Sequence, residues 1–227
     1  WHSETIYRLP RCFIAWKPHP ELPEAKANVQ EAKSGPIRFG CFNHLRKLSN
    51  TTLLCWASIL SKVANSRLVL KAPGFEDLMA ITLLKRRLIS AGLDMNRIDF
   101  LPFASTVDEH LSQYRLIDIA LDPFPNGGCT TTAEALWMGV PVITLKGNSY
   151  VSRMSTAVLR GANMNKWIAT DTKEYISIAA ENAANLISLR NKREFWRENL
   201  QQSDLGDARG LMIELEKAFL QMKAKIN

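Results

Sequence analysis

Apolar and polar positions follow two periods along most of this chain. Short, nearly continuous apolar runs at Ile37–Phe42, Arg67–Lys71, Ile98–Leu101, Ile117–Leu121 and Val142–Leu145 predict buried strands, with a weaker one at Trp167–Ala169. Between them apolar residues recur three and four apart. Thr51–Val63, carrying Leu54, Trp56, Ile59, Leu60 and Val63, predicts a helix. So do Phe75–Ala91, Val107–Tyr114, Thr131–Met138 and Val151–Leu159. From about Lys173 the pattern is helical throughout, in the segments Lys173–Leu189, Lys192–Gln202 and Ala208–Lys225. Short strands alternating with helices predict βαβ units and therefore a parallel sheet. The expected fold class is α/β, a Rossmann-like domain over 37–227 closed by C-terminal helices. Residues 1–36 differ: Pro10, Pro18, Pro20, Pro23 and Pro36 break any long helix, and a connector or strap is expected there.

Composition narrows the class without choosing a function. Of the 227 residues, 46% are hydrophobic and 22% charged, an ordinary globular balance. Lys and Arg exceed Asp and Glu by 29 to 22, and the net charge of +7 favours anionic partners in general. Cys12, Cys41, Cys55 and Cys129 form no C-x-x-C pair, which argues against disulfide scaffolds and zinc modules and fits a reducing, cytoplasmic compartment. No apolar run reaches membrane-spanning length, and no basic start leads into an apolar core. The chain opens at Trp1 without a Met and reads as a piece of a longer protein. Its basic clusters (Lys85 to Arg87, Lys192, Arg193 and Arg197, and Lys223 with Lys225) fall on predicted helices and read as solvated helix faces, which argues against nucleic acid.

The chemistry concentrates in Asp118–Pro141. There a buried strand, a loop with Asn126, Gly127 and Gly128, and a helix opening on Thr130, Thr131 and Thr132 follow one another. Glycines permit unusual backbone shapes, and a helix start offers free N–H groups and a positive dipole end, so phosphate is the expected ligand. Glu134, one turn in, suits two ribose hydroxyls. Thr131-x-x-Glu134 also matches a capping box, which explains those two residues but not the glycines. In open parallel sheets ligands sit beyond the carboxyl ends of strands. The loop after the first strand therefore brings His44, Arg46 and Lys47 to the same end, with Ser49 or Asn50 as a cap for the next helix. A third loop, Phe103–His110, offers backbone groups for a base edge, and His110 for phosphate or sugar. A fourth, Asn148–Arg153, brings Arg153 near a helix start, where it is expected to meet an anion of the donor. Neither G-x-G-x-x-G nor a P-loop is present.

Phe39–Lys47, Asn65–Lys71, Asn96–Ile98, Leu121–Thr132 and Leu136–Thr144 occur in order. Together they resemble the C-terminal catalytic half of the O-GlcNAc transferase and SPINDLY family, and Ser3–Phe13 resembles its lead-in segment. The resemblance implies the C-terminal lobe of a GT-B fold. It implies an inverting transferase that needs no metal, carries tetratricopeptide repeats and an N-terminal lobe, and moves a sugar from a nucleotide-sugar, expected to be UDP-linked, to Ser or Thr of an acceptor protein. By motif position Lys47 corresponds to the lysine that stabilises the leaving diphosphate, Thr130 and Thr131 to the phosphate pair, and His110 to the motif histidine near the donor. Glu134 stands for an aspartate. His44 replaces a glutamine and Cys129 a histidine. Ser105 and Val107 fall where the base is recognised, with Val107 and Gln113 in place of a lysine and an arginine. GlcNAc is the expected sugar, and the chain alone is expected to bind nucleotide without transferring. The alternatives are a related glucosyl- or fucosyltransferase, or a non-catalytic nucleotide-sugar-binding module.

Overall fold

The computed structural model describes residues 3–17 and 35–224. From residue 37 the chain runs β1 (Ile37–Cys41), α1 (Asn50–Lys62), β2 (Ser66–Leu70), α2 (Leu78–Ser90), β3 (Ile98–Phe100), α3 (Val107–Ser112), β4 (Ile119–Leu121), α4 (Thr130–Trp137), β5 (Val142–Leu145), α5 (Met154–Gly161) and β6 (Ile168–Ala169). Four helices follow: α6 (Thr172–Ala183), α7 (Leu186–Asn191), α8 (Arg193–Gln201) and α9 (Ala208–Ala224). The six strands form one sheet in the order β3-β2-β1-β4-β5-β6, and every pairing is parallel. The predicted α/β class and parallel sheet are what the chain forms.

That order places the site. Successive strands step outward from β1 to β3, then the chain returns to pair β4 with β1, at Phe39 opposite Ile119 and Gly40 opposite Ala120. The connections beyond the carboxyl ends of β1 and β4 therefore diverge and leave a crevice between them. Phe39, Ile119 and Ile143 are wholly buried in the central strands. Trp56 of α1 donates through Nε1 to the Tyr175 hydroxyl of α6 at 3.2 Å. Tyr175 donates in turn to the Asp122 carbonyl at 3.0 Å, so two helices are fixed to the end of β4.

Helix starts follow their caps. Ser49 accepts from Thr52 N at 3.1 Å, Asp77 from Met79 N at 2.8 Å, and Asp171 from Glu174 N at 2.8 Å. The helix predicted over Lys173–Leu189 is two helices, α6 and α7, with Asn185 between them at φ −114, ψ 42. No Gly or Pro marks that break, and the apolar period runs through it. The helix predicted from Phe75 begins at Leu78, where the Asp77 cap sits. Arg193, expected on a solvated face, is buried, and its guanidinium donates to the carbonyls of Tyr114 at 3.3 Å, Met138 at 3.4 Å and Ile117.

Residues 3–17 contain neither helix nor strand and lie along α5 and the α8–α9 connection. Trp16 N donates to the Leu205 carbonyl at 2.8 Å, and Arg11 pairs with Asp204 at 2.9 Å and Asp207 at 3.1 Å. Pro18, Pro20, Pro23 and the Lys225 end of the last predicted helix lie outside the described residues. Among the described residues no helix is long and apolar enough to cross a membrane.

Candidate functional site

The two loops of the crevice are bonded to each other. After β1 the chain makes one tight turn, Leu45–Lys47, started by His44, whose Nδ1 accepts from Arg46 N at 3.3 Å. The turn swings Lys47 toward the β4 loop, where its Nζ donates to the Gly127 carbonyl at 2.8 Å and to Asn43 Oδ1 at 3.1 Å. Asn43 Oδ1 also accepts from Thr131 Oγ1 at 3.2 Å. The Phe124 carbonyl takes hydroxyl donors from Ser49 at 2.6 Å and Thr52 at 2.7 Å. His44 itself is exposed and points no hydrogen bond across the crevice among the described residues.

Asp122 organises the second loop from below. It is buried, accepting from Gly128 N at 2.7 Å and from Thr144 Oγ1 at 2.7 Å. Burial pushes its carboxyl up, and these bonds with one from Ser155 oppose the shift. Gly127 and Gly128 were expected to supply unusual backbone; neither has a positive φ. Their role is space. A Cβ on Gly127 would stand 2.6 Å from Asp122 Oδ2, and one on Gly128 would run into the Thr131 and Thr132 hydroxyls.

α4 starts at Thr130, with Cys129 as its N-cap and no side chain capping it. Thr131 is therefore the second helical residue, and the capping box does not form. Its first N–H groups have no intrahelical acceptor, as at any helix start, and they face the crevice loop with the positive end of the dipole. Thr132 and Ser155 share a hydrogen bond at 2.9 Å, and Ser155 donates to the Gly128 carbonyl at 3.0 Å. Cys129 is half-buried, and burial raises its thiol.

Glu134 reaches a different partner. His110 Nε2 lies 3.1 Å from Glu134 Oε2, while His110 Nδ1 lies 2.7 Å from Lys71 Nζ. An ammonium can only donate, so Nδ1 accepts and Nε2 carries the hydrogen toward Glu134. Burial pulls Lys71 down to about 8, against the opposing pull of Glu109 and Glu134. Lys71 also lies 5.4 Å from the Phe42 ring centroid. Sequence reasoning gave Lys71 no role, because it reads as the last residue of a strand. Its signal is a charge directly after a fully apolar run, and Asp122 carries the same signal after β4.

The remaining predicted positions lie further out. Ser105 N donates to Glu109 Oε2 at 2.9 Å, Val107 is 63% exposed, and Gln113 donates to the Pro102 carbonyl at 3.4 Å. Arg153 donates through Nε to the Gly147 carbonyl at 3.0 Å and lines another cavity, beside α5. The structure thus brings Lys47, Thr130, Thr131, Cys129, His110 and Glu134 to one end of the sheet around the β1 and β4 loops. Among the described residues no group of three or more His, Cys, Asp and Glu could hold a metal ion.

A six-stranded parallel sheet in this order, with an uncapped helix end and a lysine across its switch point, is a Rossmann-like lobe of the kind found in GT-B glycosyltransferases. A glycosyltransferase involved in lipopolysaccharide biosynthesis, WaaG, shares that fold with a TM-score of 0.57 at 17% identity over 90% of this chain and 55% of its own. The profile of glycosyl transferase family 41 matches residues 27–215, and the chain belongs to that family. A probable UDP-N-acetylglucosamine–peptide N-acetylglucosaminyltransferase SPINDLY from Eustoma exaltatum subsp. russellianum is 34% identical over 97% of this chain. A UDP-N-acetylglucosamine–peptide N-acetylglucosaminyltransferase from Caenorhabditis elegans is 31% identical over 82% of it. The solved structure of an O-GlcNAc transferase mutant from Thermobaculum terrenum superposes with a TM-score of 0.79 at 35% identity, over 95% of this chain and 40% of that one. The chain spans 24% of the SPINDLY relative's length and 16% of the nematode one's.

Proposed function

We propose that this chain is the donor-binding lobe of an enzyme that transfers GlcNAc from UDP-GlcNAc to Ser or Thr of an acceptor protein. One observation carries the reading. Lys47 holds its ammonium on two neutral oxygens, Asn43 Oδ1 and the Gly127 carbonyl, beside the uncapped start of α4. A cation kept on neutral acceptors is available to an incoming anion. The acceptor hydroxyl oxygen bonds to the anomeric carbon as that carbon's bond to the β-phosphate oxygen breaks. UDP leaves with the bonding electrons, and Lys47 with the N–H groups of Thr130 and Thr131 stabilises the charge that gathers there. The hydroxyl proton goes to a base on the N-terminal lobe that the family resemblance implies. Glu134, oriented by His110, accepts from the ribose hydroxyls; Cys129 and His44 border the phosphate and sugar, and Ser105 and Val107 border the base. No metal takes part.

Calorimetry on the 227-residue chain is expected to show UDP binding, with no transfer by the chain alone. In the full-length enzyme Lys47→Ala should lower turnover about 100- to 1,000-fold with folding intact, the scale of losing one preorganised donor. Near-normal turnover in that variant would sink the assignment.

A further inference from the structure

α5 presents a second face that the donor reading does not use. Arg153, Thr156, Ala157, Arg160 and Gly161 recur at helical spacing, and all line a cavity of about 810 Å³. The facing wall is the extended segment Ile6–Phe13, and the loop after β5 adds Lys146 and Tyr150. Gly161 lets the walls approach: a Cβ there would stand 2.9 Å from the Cβ of Cys12.

The charge on this lining is one-sided. Its single carboxylate, Asp204, is already held by Arg11 at 2.9 Å. Among the described residues Arg8, Lys146, Arg153 and Arg160 have no ion-pair partner. Arg153 uses Nε on the Gly147 carbonyl, which fixes the guanidinium plane and leaves its terminal nitrogens for a planar anion. Thr156 supplies an independent sign of a missing partner. It is 4% exposed, it lines the cavity, and its hydroxyl has no hydrogen bond. A buried hydroxyl left without a partner is costly, and a ligand oxygen or N–H removes that cost.

Spacing selects the class of anion. Arg153 and Arg160 are seven residues apart, about 10 Å along a helix. A compact phosphate does not span that distance, but side chains three residues apart on an extended polyproline II chain do: three residues complete one turn, at about 3.1 Å each, and return to the same side. The exposed rings of Tyr7, Phe13 and Tyr150 offer apolar surface beside the charges. We propose that this cavity binds an extended acidic peptide, with Arg153 and Arg160 pairing with carboxylates three residues apart and the Thr156 hydroxyl bonding the peptide backbone. Ser155, next to Thr156, donates to the Gly128 carbonyl, so the docked peptide lies one helix from the α4 start. If the donor reading holds, on which this last step rests, the peptide is a flank of the acceptor protein and the enzyme favours Ser or Thr near acidic residues.

The test is fluorescence anisotropy on the 227-residue chain with a fluorescein-labelled peptide carrying Glu at every third position among serines. A Lys counterpart and inorganic tripolyphosphate are the controls. The Glu peptide is expected to bind at least about tenfold tighter than the Lys peptide. Arg160→Glu, an exposed change, should abolish that preference. Thr156→Val, which keeps the volume, should weaken binding about threefold to tenfold with the thermal midpoint nearly unchanged. Equal binding of the two peptides, or an unaltered preference in Arg160→Glu, overturns the proposal. So does tripolyphosphate binding tighter than the Glu peptide, which would make the site one for phosphate. UDP calorimetry on the unaltered chain is a separate arm: its failure with peptide preference intact strikes the donor reading alone, and the converse strikes the cavity alone.

Discussion

Lys71 takes its titration from its surroundings. Unfolded it titrates near the ordinary 10.5, folded at about 8. Below about pH 8 both states carry the proton and Lys71 adds no slope. Between about 8 and 10.5 the unfolded state binds more protons, so its contribution to stability rises with pH. Lys71→Met removes that rise. Denaturant unfolding near both ends of the window should therefore show wild type gaining on the variant as pH increases, and a constant difference would count against the shift. The placement of Lys47, Thr130 and Glu134 at one end of the sheet was legible in the sequence because each follows a strand, in a loop or in the first turns of a helix. Lys71 and Asp122 were hidden by the strands they end. Arg193 was hidden by its neighbours Lys192 and Arg197, since a row of basic residues says nothing about which one faces carbonyls.

At the level of elements, glycines separate into two uses. In the β4 loop they leave room for hydroxyls and a carboxylate. Gly139 instead turns the chain out of α4 with φ +69, and a Cβ there would lie 2.8 Å from the Arg193 carbonyl carbon and 2.7 Å from its Cβ. Gly139→Ala thus combines a left-handed backbone with a backbone clash. A loss of at least about 2 kcal/mol is expected in urea unfolding. The strands were legible to within a residue or two because apolar runs report burial directly. The α6–α7 break was not, because the apolar period continues through Ala179, Leu186 and Leu189 although Asn185 leaves helical geometry. The capping-box reading of Thr131 failed for a related reason. A helix shifted by one residue at Thr130 gives Thr131 to Asn43 and Glu134 to His110, and local sequence cannot see either partner.

Across the whole molecule, the C-terminal helices are joined to the sheet by buried charge. Arg190 of α7 donates to Asp118 at 2.8 Å and 3.0 Å, and Asp118 also accepts from Arg38 N of β1 at 2.9 Å. Removing one side of a buried pair leaves the other uncompensated. Asp118→Ala is expected to cost about 3–5 kcal/mol, read from the denaturant midpoint. Alternating strands and helices made a parallel sheet legible. They left its order open, since periodicity reports which residues are buried and not which strands are neighbours. One long-range contact has a consequence for labelling and fusion. The Tyr7 hydroxyl donates to Gln221 at 2.7 Å, so the early segment and the last described helix meet. A fluorophore pair on Glu4 and Met222 should start in high energy transfer and lose it when the segment lifts, which makes the cavity wall's detachment visible without touching the donor crevice.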